Sequence, residues 1–265
     1  MTGFRWSFQG GTLPLLLLLA GATGSAAAQD DSGGYAAVVP YRPSVSTPAQ
    51  LSAPGQLELE LGGQQSKLDD SHRASLPYTL KLAFSPEWGV LVEGDAYVDQ
   101  RAGDDPHARG VGDTTLVLKR AFLIDDATAF GLELGAKVPT AKDSIGSGKS
   151  DYSVNGIFSR DQGSVHMDVN LNLTRLGAVD PGTARTQSGA ALALSTPVSE
   201  RWGATAELSG THQVGAASTA QLLVAATFNP TKQMEVDIGV ARGLNSASPD
   251  WTWFSGFVVP LARLW

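Results

Sequence analysis

The chain has 265 residues, 30 glycines, 17% charged residues, no cysteine and a net charge of −7. Without cysteine there is neither a disulfide framework nor a lipid-modified cysteine, and the acidic balance argues against nucleic acid as a partner. For an all-β chain this length is compatible with one domain.

Residues 1–28 have the pattern of a secretory signal peptide. Arg5 lies in a short leading region, an apolar run from Leu13 to Leu19 is broken only by Pro14, and Ala26-Ala27-Ala28 precedes Gln29. The run is shorter than the roughly 20 residues a membrane helix needs, so a cleaved leader and export are expected. Residues 29–55 contain Pro40, Pro43, Pro48 and Pro54 and show no hydrophobic period. They read as an irregular periplasmic arm; a segment tucked into a lumen as a plug is the alternative.

From Leu57 onward the pattern becomes alternation. Twelve strand-like segments follow, at about 56–64, 74–84, 87–99, 111–122, 128–138, 151–160, 164–176, 186–196, 201–212, 218–229, 233–243 and 251–265. Most are near the 9 to 11 residues that a tilted strand needs to cross hydrocarbon, whereas soluble strands usually run about 5 or 6. The clearest lies between Gly163 and Gly177, where Val165, Met167, Val169, Leu171 and Leu173 alternate with His166, Asp168, Asn170, Asn172 and Thr174. Successive side chains of a strand point to opposite faces, so this segment separates an apolar medium from a wet one. No later run is long and apolar enough for a spanning helix. A chain like this can cross lipid only as a closed barrel, in which neighbouring strands satisfy every backbone polar group.

The connections alternate in length. Those at Ser85-Pro86, Asp125-Asp126, Asp161-Gln162, 197–200 and 230–232 are short; those at 65–73, 100–110, 140–150, 177–185, 213–217 and 244–250 are mostly longer. Short periplasmic turns and long extracellular loops are the outer-membrane pattern. The expected fold is an all-β, antiparallel, up-and-down transmembrane β-barrel of about twelve strands over residues 56–265, set among the lipids of the outer membrane.

A barrel carries aromatic girdles where its apolar band meets water. Following the apolar parity, Phe84, Trp88, Phe122, Phe130, Phe158, Trp202, Phe228 and Trp265 face outward near the short-turn end, and Tyr152 and Trp253 near the other. The opposite parity supplies the lumen: Glu58, Glu60, Glu93, Asp95, Asp99, Asp113, Glu133, Asp168, Glu207, Glu235 and Asp237, with Lys81, Lys119, Lys137 and His166. Carboxylates facing lipid would cost several kcal/mol each, so they belong inside. Two readings of this interior stay open. In one, the acid excess sets a negative potential that favours cations; in the other, the side chains and water fill a narrow barrel as an ionic network.

Other candidates carry less. Gly148-Lys149-Ser150 lacks the spacing and the helix of a phosphate-binding loop. His72, His107, His166 and His212 show no metal-ligand spacing, so neither metal nor cofactor is expected. Ser164 and His166 are the only pair resembling a nucleophile and its base, but no nucleophile elbow surrounds them, and no catalytic residue is assigned. Arg175 and Arg242 face outward at the long-loop end, either as phosphate contacts of lipid headgroups or simply as strand ends at the polar interface. Asp69-Asp70 and Asp104-Asp105 read as solvated loop acids.

The segment Gly110-Val111-Gly112-Asp113, running into the alternating Thr114 to Lys119 strand, resembles the signature of the outer-membrane phenol meta-pathway degradation-like transporter family. So do Gly135-Ala136-Lys137-Val138-Pro139-Thr140, the Gly146 to Asp151 stretch and the strand ending at Gly177. The likeness runs from about Leu57 to Trp265. It implies a barrel that passes small, often aromatic or hydrophobic compounds without chemistry. Trp265, with Leu261 and Val259 at the same parity, is similar to the terminal signal that the barrel-assembly machinery reads. The expected function is a passive pore for a small-molecule solute; the alternatives are a plugged barrel serving a structural or surface-interaction role and, behind it, a lipid-modifying enzyme.

Overall fold

The structure is a computed structural model and describes residues 34–103 and 106–265; the expected leader lies outside the described residues. In chain order the strands are β1 (Gln56–Leu68), β2 (Ser71–Ala83), β3 (Trp88–Arg101), β4 (Ala108–Gly110), β5 (Thr114–Asp125), β6 (Thr128–Val138), β7 (Asp151–Gln162), β8 (Val165–Arg175), β9 (Thr186–Pro197), β10 (Trp202–Gln213), β11 (Thr219–Thr231), β12 (Met234–Gly243) and β13 (Trp251–Arg263). Each long strand pairs antiparallel with the next, and β13 returns to pair with β1. The result is a closed barrel of twelve strands, with the three-residue β4 attached only to Val98–Gln100 of β3. Closure removes every long edge. Among the described residues there is no helix.

Alternation has the polarity of a protein solvated by lipid. On β8, Leu171 and Leu173 are 64% and 57% exposed, while Asp168 and Asn170 are buried. The largest fully buried side chains include Lys81, Lys119, Glu58, Glu207 and Asp237. A water-soluble domain buries the opposite set; here the charged face is enclosed and the apolar face surrounds it. The turns β2–β3, β5–β6, β7–β8, β9–β10 and β11–β12 gather at one rim, where the chain also enters β1 and leaves β13. There Leu264 N donates to Gly55 O at 2.7 Å.

Three details differ from the sequence-based expectation. Residues 65–73 are not a long loop: β1 and β2 extend until Leu68 pairs with Ser71, leaving Asp69 and Asp70 as a tight turn. Asp69 takes a φ of 49° there, a region that aspartate tolerates better than most residues. Second, β3 carries an extra residue: Pro77 pairs with Asp95 but Ser75 with Val98. This bulge reverses the parity beyond it. Asp95 still faces in, bonded to Arg73 at 2.7 Å. Asp99, expected in the lumen, turns to the outer face and meets Arg109 and His107, each at 2.8 Å. Third, β5 starts at Thr114 rather than 111. Gly112 instead folds its backbone against β3, its N donating to Asp95 O at 2.9 Å.

Candidate functional site

The inward faces converge on the N-terminal arm. Residues 36–50 lie inside the barrel and exchange hydrogen bonds with inward side chains of β1, β2, β5, β6, β7, β8, β10 and β12. Of the segment 29–55 that read as a periplasmic arm, with the lumen as its alternative position, residues 36–50 therefore lie in the lumen. The reason is chemical. Its prolines and irregular backbone leave N–H groups without intrasegment partners, and the wall presents carboxylates to receive them.

Glu58 accepts from Val39 N at 3.3 Å. Glu60 accepts from Tyr41 N at 2.8 Å and from Arg42 N at 3.1 Å. Glu207 holds Ser46 through both N and Oγ, at 2.8 and 2.9 Å. Asn170 accepts from Thr47 N at 3.1 Å and returns a bond to Thr47 O at 2.9 Å. Ser159, which donates to Asp168, accepts from Ala49 N at 2.8 Å. Arg42 makes a two-pronged bond to Asp237, with Nε at 2.9 Å and Nη2 at 3.1 Å.

Two of the inward lysines, Lys81 and Lys119, also hold the arm. Lys81 bridges Glu58 at 3.1 Å and Glu60 at 2.5 Å, and also donates to Val39 O. Lys119 pairs with Glu133 at 2.9 Å and donates to Pro48 O at 2.6 Å. The Tyr41 ring centroid lies 4.4 Å from the Lys81 ammonium and 4.1 Å from that of Lys119, close enough for cation–π attraction to both. Tyr41 also packs on Leu91 and Val117, with Val39 beside them. Ala49 fills a second dry contact against Ala129 and Ile157.

Not every inward residue touches the arm. Glu93 lines the space above it. Glu235 takes a bond from Asn229 at 3.1 Å. Asp113 and Lys137 sit higher, in a cluster where Lys137 bridges Asp113 at 3.4 Å and Asp151 at 2.7 Å and Asp113 accepts from Ala141 N at 3.0 Å. The glycine-rich segments at 110–113 and 146–151 thus meet each other and hold the extracellular loops together, rather than lining a solute path. His166 is held by Asp161 at 2.5 Å and Asp168 at 3.2 Å. Both ring nitrogens are engaged there, neither with Ser164, so that pair does not form a nucleophile and base in this conformation.

Phe84, Phe122, Phe130, Trp202 and Trp253 are exposed on the outer face, and Trp88, Phe158 and Phe228 are half-buried there. Trp265 is exposed beyond the end of β13, after a register shift opposite Leu57 and Glu58 that reverses the parity on which its outward placement was expected. Phe130 packs on Phe158 at 5.2 Å and Trp202 on Phe228 at 4.8 Å.

One sign of the arm's position was present in the sequence. Gly62 and Gly256, both at inward parity, pair directly with one another across β1 and β13. A Cβ on either would come within 2.6 or 2.5 Å of the Arg42 guanidinium. Glycine inside a strand marks close approach by something else, and here that is the arm.

A closed barrel that is apolar outside and ionic within, with the start of β1 and the end of β13 at its short-turn rim, defines an outer-membrane type of β-barrel. Residues 30–259 match the family model described as "Putative MetA-pathway of phenol degradation", and the chain belongs to that family. Among solved structures it is similar to the KdgM porin, with a TM-score of 0.55 at 8% identity over 77% of this chain and 99% of that one. It is similar also to the CymD monoaromatic hydrocarbon channel, with a TM-score of 0.51 at 8% identity over 80% and 90% of the two chains. The β domain of the Bordetella autotransporter BrkA gives 0.50 at 12% identity over 77% and 98%. At such identities the likeness establishes the fold alone. No curated protein matches the sequence.

Proposed function

We propose that this barrel is a passive outer-membrane pathway for small solutes, closed in the present conformation by its own N-terminal arm. The observation that carries the reading is that the arm divides the lumen without filling it. A cavity of about 670 Å³ lies on the short-turn side, lined by residues such as Pro40, His166, Ser195, Thr205 and Thr227. Two more, of about 390 and 350 Å³, lie toward the long loops. Each is within the roughly 300–1,000 Å³ of small-molecule sites, and their walls mix apolar surface with a few polar groups. Family membership and the likeness to a monoaromatic hydrocarbon channel support a small aromatic solute. The inward acids serve chiefly as acceptors for the arm, so the negative potential expected of an open acidic lumen applies only once the arm has left. The surrounding lipids hold the aromatic girdles, and the assembly machinery reads Trp265 after export.

Single-channel conductance and liposome swelling test this on the full mature chain and on a variant lacking residues 36–50. The full chain should conduct weakly or intermittently, and the variant should conduct at least several-fold more and admit phenol-sized solutes. If both are insulating, the pore is refuted and a permanently sealed structural or surface-interaction barrel takes its place, a reading favoured by the complete burial of Lys81 and Lys119 against the arm.

A further inference from the structure

The outer surface holds a second charged feature, unrelated to the lumen. Cross-strand pairs share a face, and the registers of five neighbouring strands place Arg101, His72, Lys67, Trp251 and Arg242 in one continuous row. Arg101 pairs with His72, His72 with Lys67, Lys67 with Trp251, and Trp251 with Arg242. All five are exposed. Lys67 shares its face with Leu57, Leu59 and Leu61, so the row is on the lipid side of the wall. Ten residues separate Leu57 from Lys67, or about 33 Å of strand, which a tilt of roughly 40° turns into about 25 Å of height, the thickness of the apolar band. The row therefore lies where the outer leaflet's headgroups begin, and because the strands tilt it climbs obliquely across β12, β13, β1, β2 and β3.

Arg242 is already positioned. Its guanidinium lies 4.6 Å from the Trp251 ring centroid and its Nη1 donates to Asp250 O at 3.0 Å. The arginine at the other end, Arg101, is braced by Nε donating to Gly103 O at 2.8 Å. Asp99, on the same face, is matched by Arg109 and His107. Asp69 and Asp70 form the turn beyond the row.

We propose that this oblique row is a binding site for the phosphate groups of an outer-leaflet glycolipid, with Arg242 and Lys67, on either side of Trp251, as the contacting cations. Guanidinium groups bind phosphate through paired hydrogen bonds, Trp251 offers an interfacial ring between the two cations, and nothing on the solute path is involved. The site stands whether or not the lumen conducts.

The test uses the purified full barrel in detergent and native mass spectrometry with three probes: bis-phosphorylated lipid A, its dephosphorylated form, and phosphatidylcholine. The phosphorylated lipid should be retained at least tenfold better than either of the others. The double change Arg242→Gln, Lys67→Gln should reduce that retention about tenfold while leaving heat-modifiable migration unchanged. Arg175→Gln, an outward cation on the opposite wall, should leave it unaltered. Equal retention by the double variant, equal retention of the dephosphorylated lipid, full competition by millimolar orthophosphate, or an equal loss in the Arg175 variant would each overturn the proposal.

Discussion

Arg42 shows at the level of single residues how the arm is held. Its guanidinium occupies the gap left by Gly62 and Gly256 and meets Asp237, which is 2% exposed. Breaking a buried pair by removing one partner typically costs about 3–5 kcal/mol, because the other charge is stranded. Arg42→Ala should therefore lower the temperature at which the folded band is lost in heat-modifiability gels, and Arg42→Ala with Asp237→Asn should recover part of the loss. Gly256→Val acts differently, since it leaves both charges and removes the space; it should raise conductance towards that of the arm deletion while the wall stays folded. Lys119 offers a matched comparison with Lys137. Lys119→Met leaves Glu133 and Pro48 O without their buried donor and should destabilise the barrel strongly. Lys137, whose side chain is 22% exposed, holds a more hydrated pair, and Lys137→Met should cost about 1 kcal/mol or less; similar midpoints for the two variants would contradict this ranking.

At the level of elements, strand positions were readable and several of their ends were not. The alternating runs place all twelve long strands within a few residues, because period-two patterning is local and each strand must separate lipid from lumen. The β1–β2 hairpin escaped because Gln64, Gln65, Ser66 and Lys67 are polar on both parities; they form a strand above the apolar band, where water has replaced lipid and alternation is no longer demanded. Asp69 should accept Gly without loss, whereas Asp69→Val should cost about 1–2 kcal/mol through its left-handed backbone, measurable as a lower yield of refolded barrel. The β3 bulge was equally hidden. It depends on how Ser75 and Pro77 register against β3, a partner choice invisible in one segment, and it moved Asp99 from the lumen to the outer face.

For the whole molecule, the inverted placement of polar and apolar side chains is the governing fact. Leu171, 64% exposed near the middle of β8, faces the centre of the apolar band. Leu171→Arg should cost about 2–4 kcal/mol in a bilayer, and a refolding titration into vesicles that showed no cost would contradict a lipid-facing wall. Truncating Trp265 should reduce the heat-modifiable barrel recovered from the membrane fraction while leaving total synthesis unchanged.

Sequence alone determined the strands, their inside and outside faces away from the β3 bulge, and hence the barrel, since these follow from side-chain period and from the energy of keeping charge out of hydrocarbon. It also showed an interior far richer in acids than in lysines, but not what answers that charge. Only the tertiary structure decided that the proline-rich arm lies within the ring, because the contacts that hold it join groups as far apart as Arg42 and Asp237, 195 positions distant in the chain. No local pattern encodes such a meeting; it exists only once the strands have closed and turned their carboxylates towards a common axis.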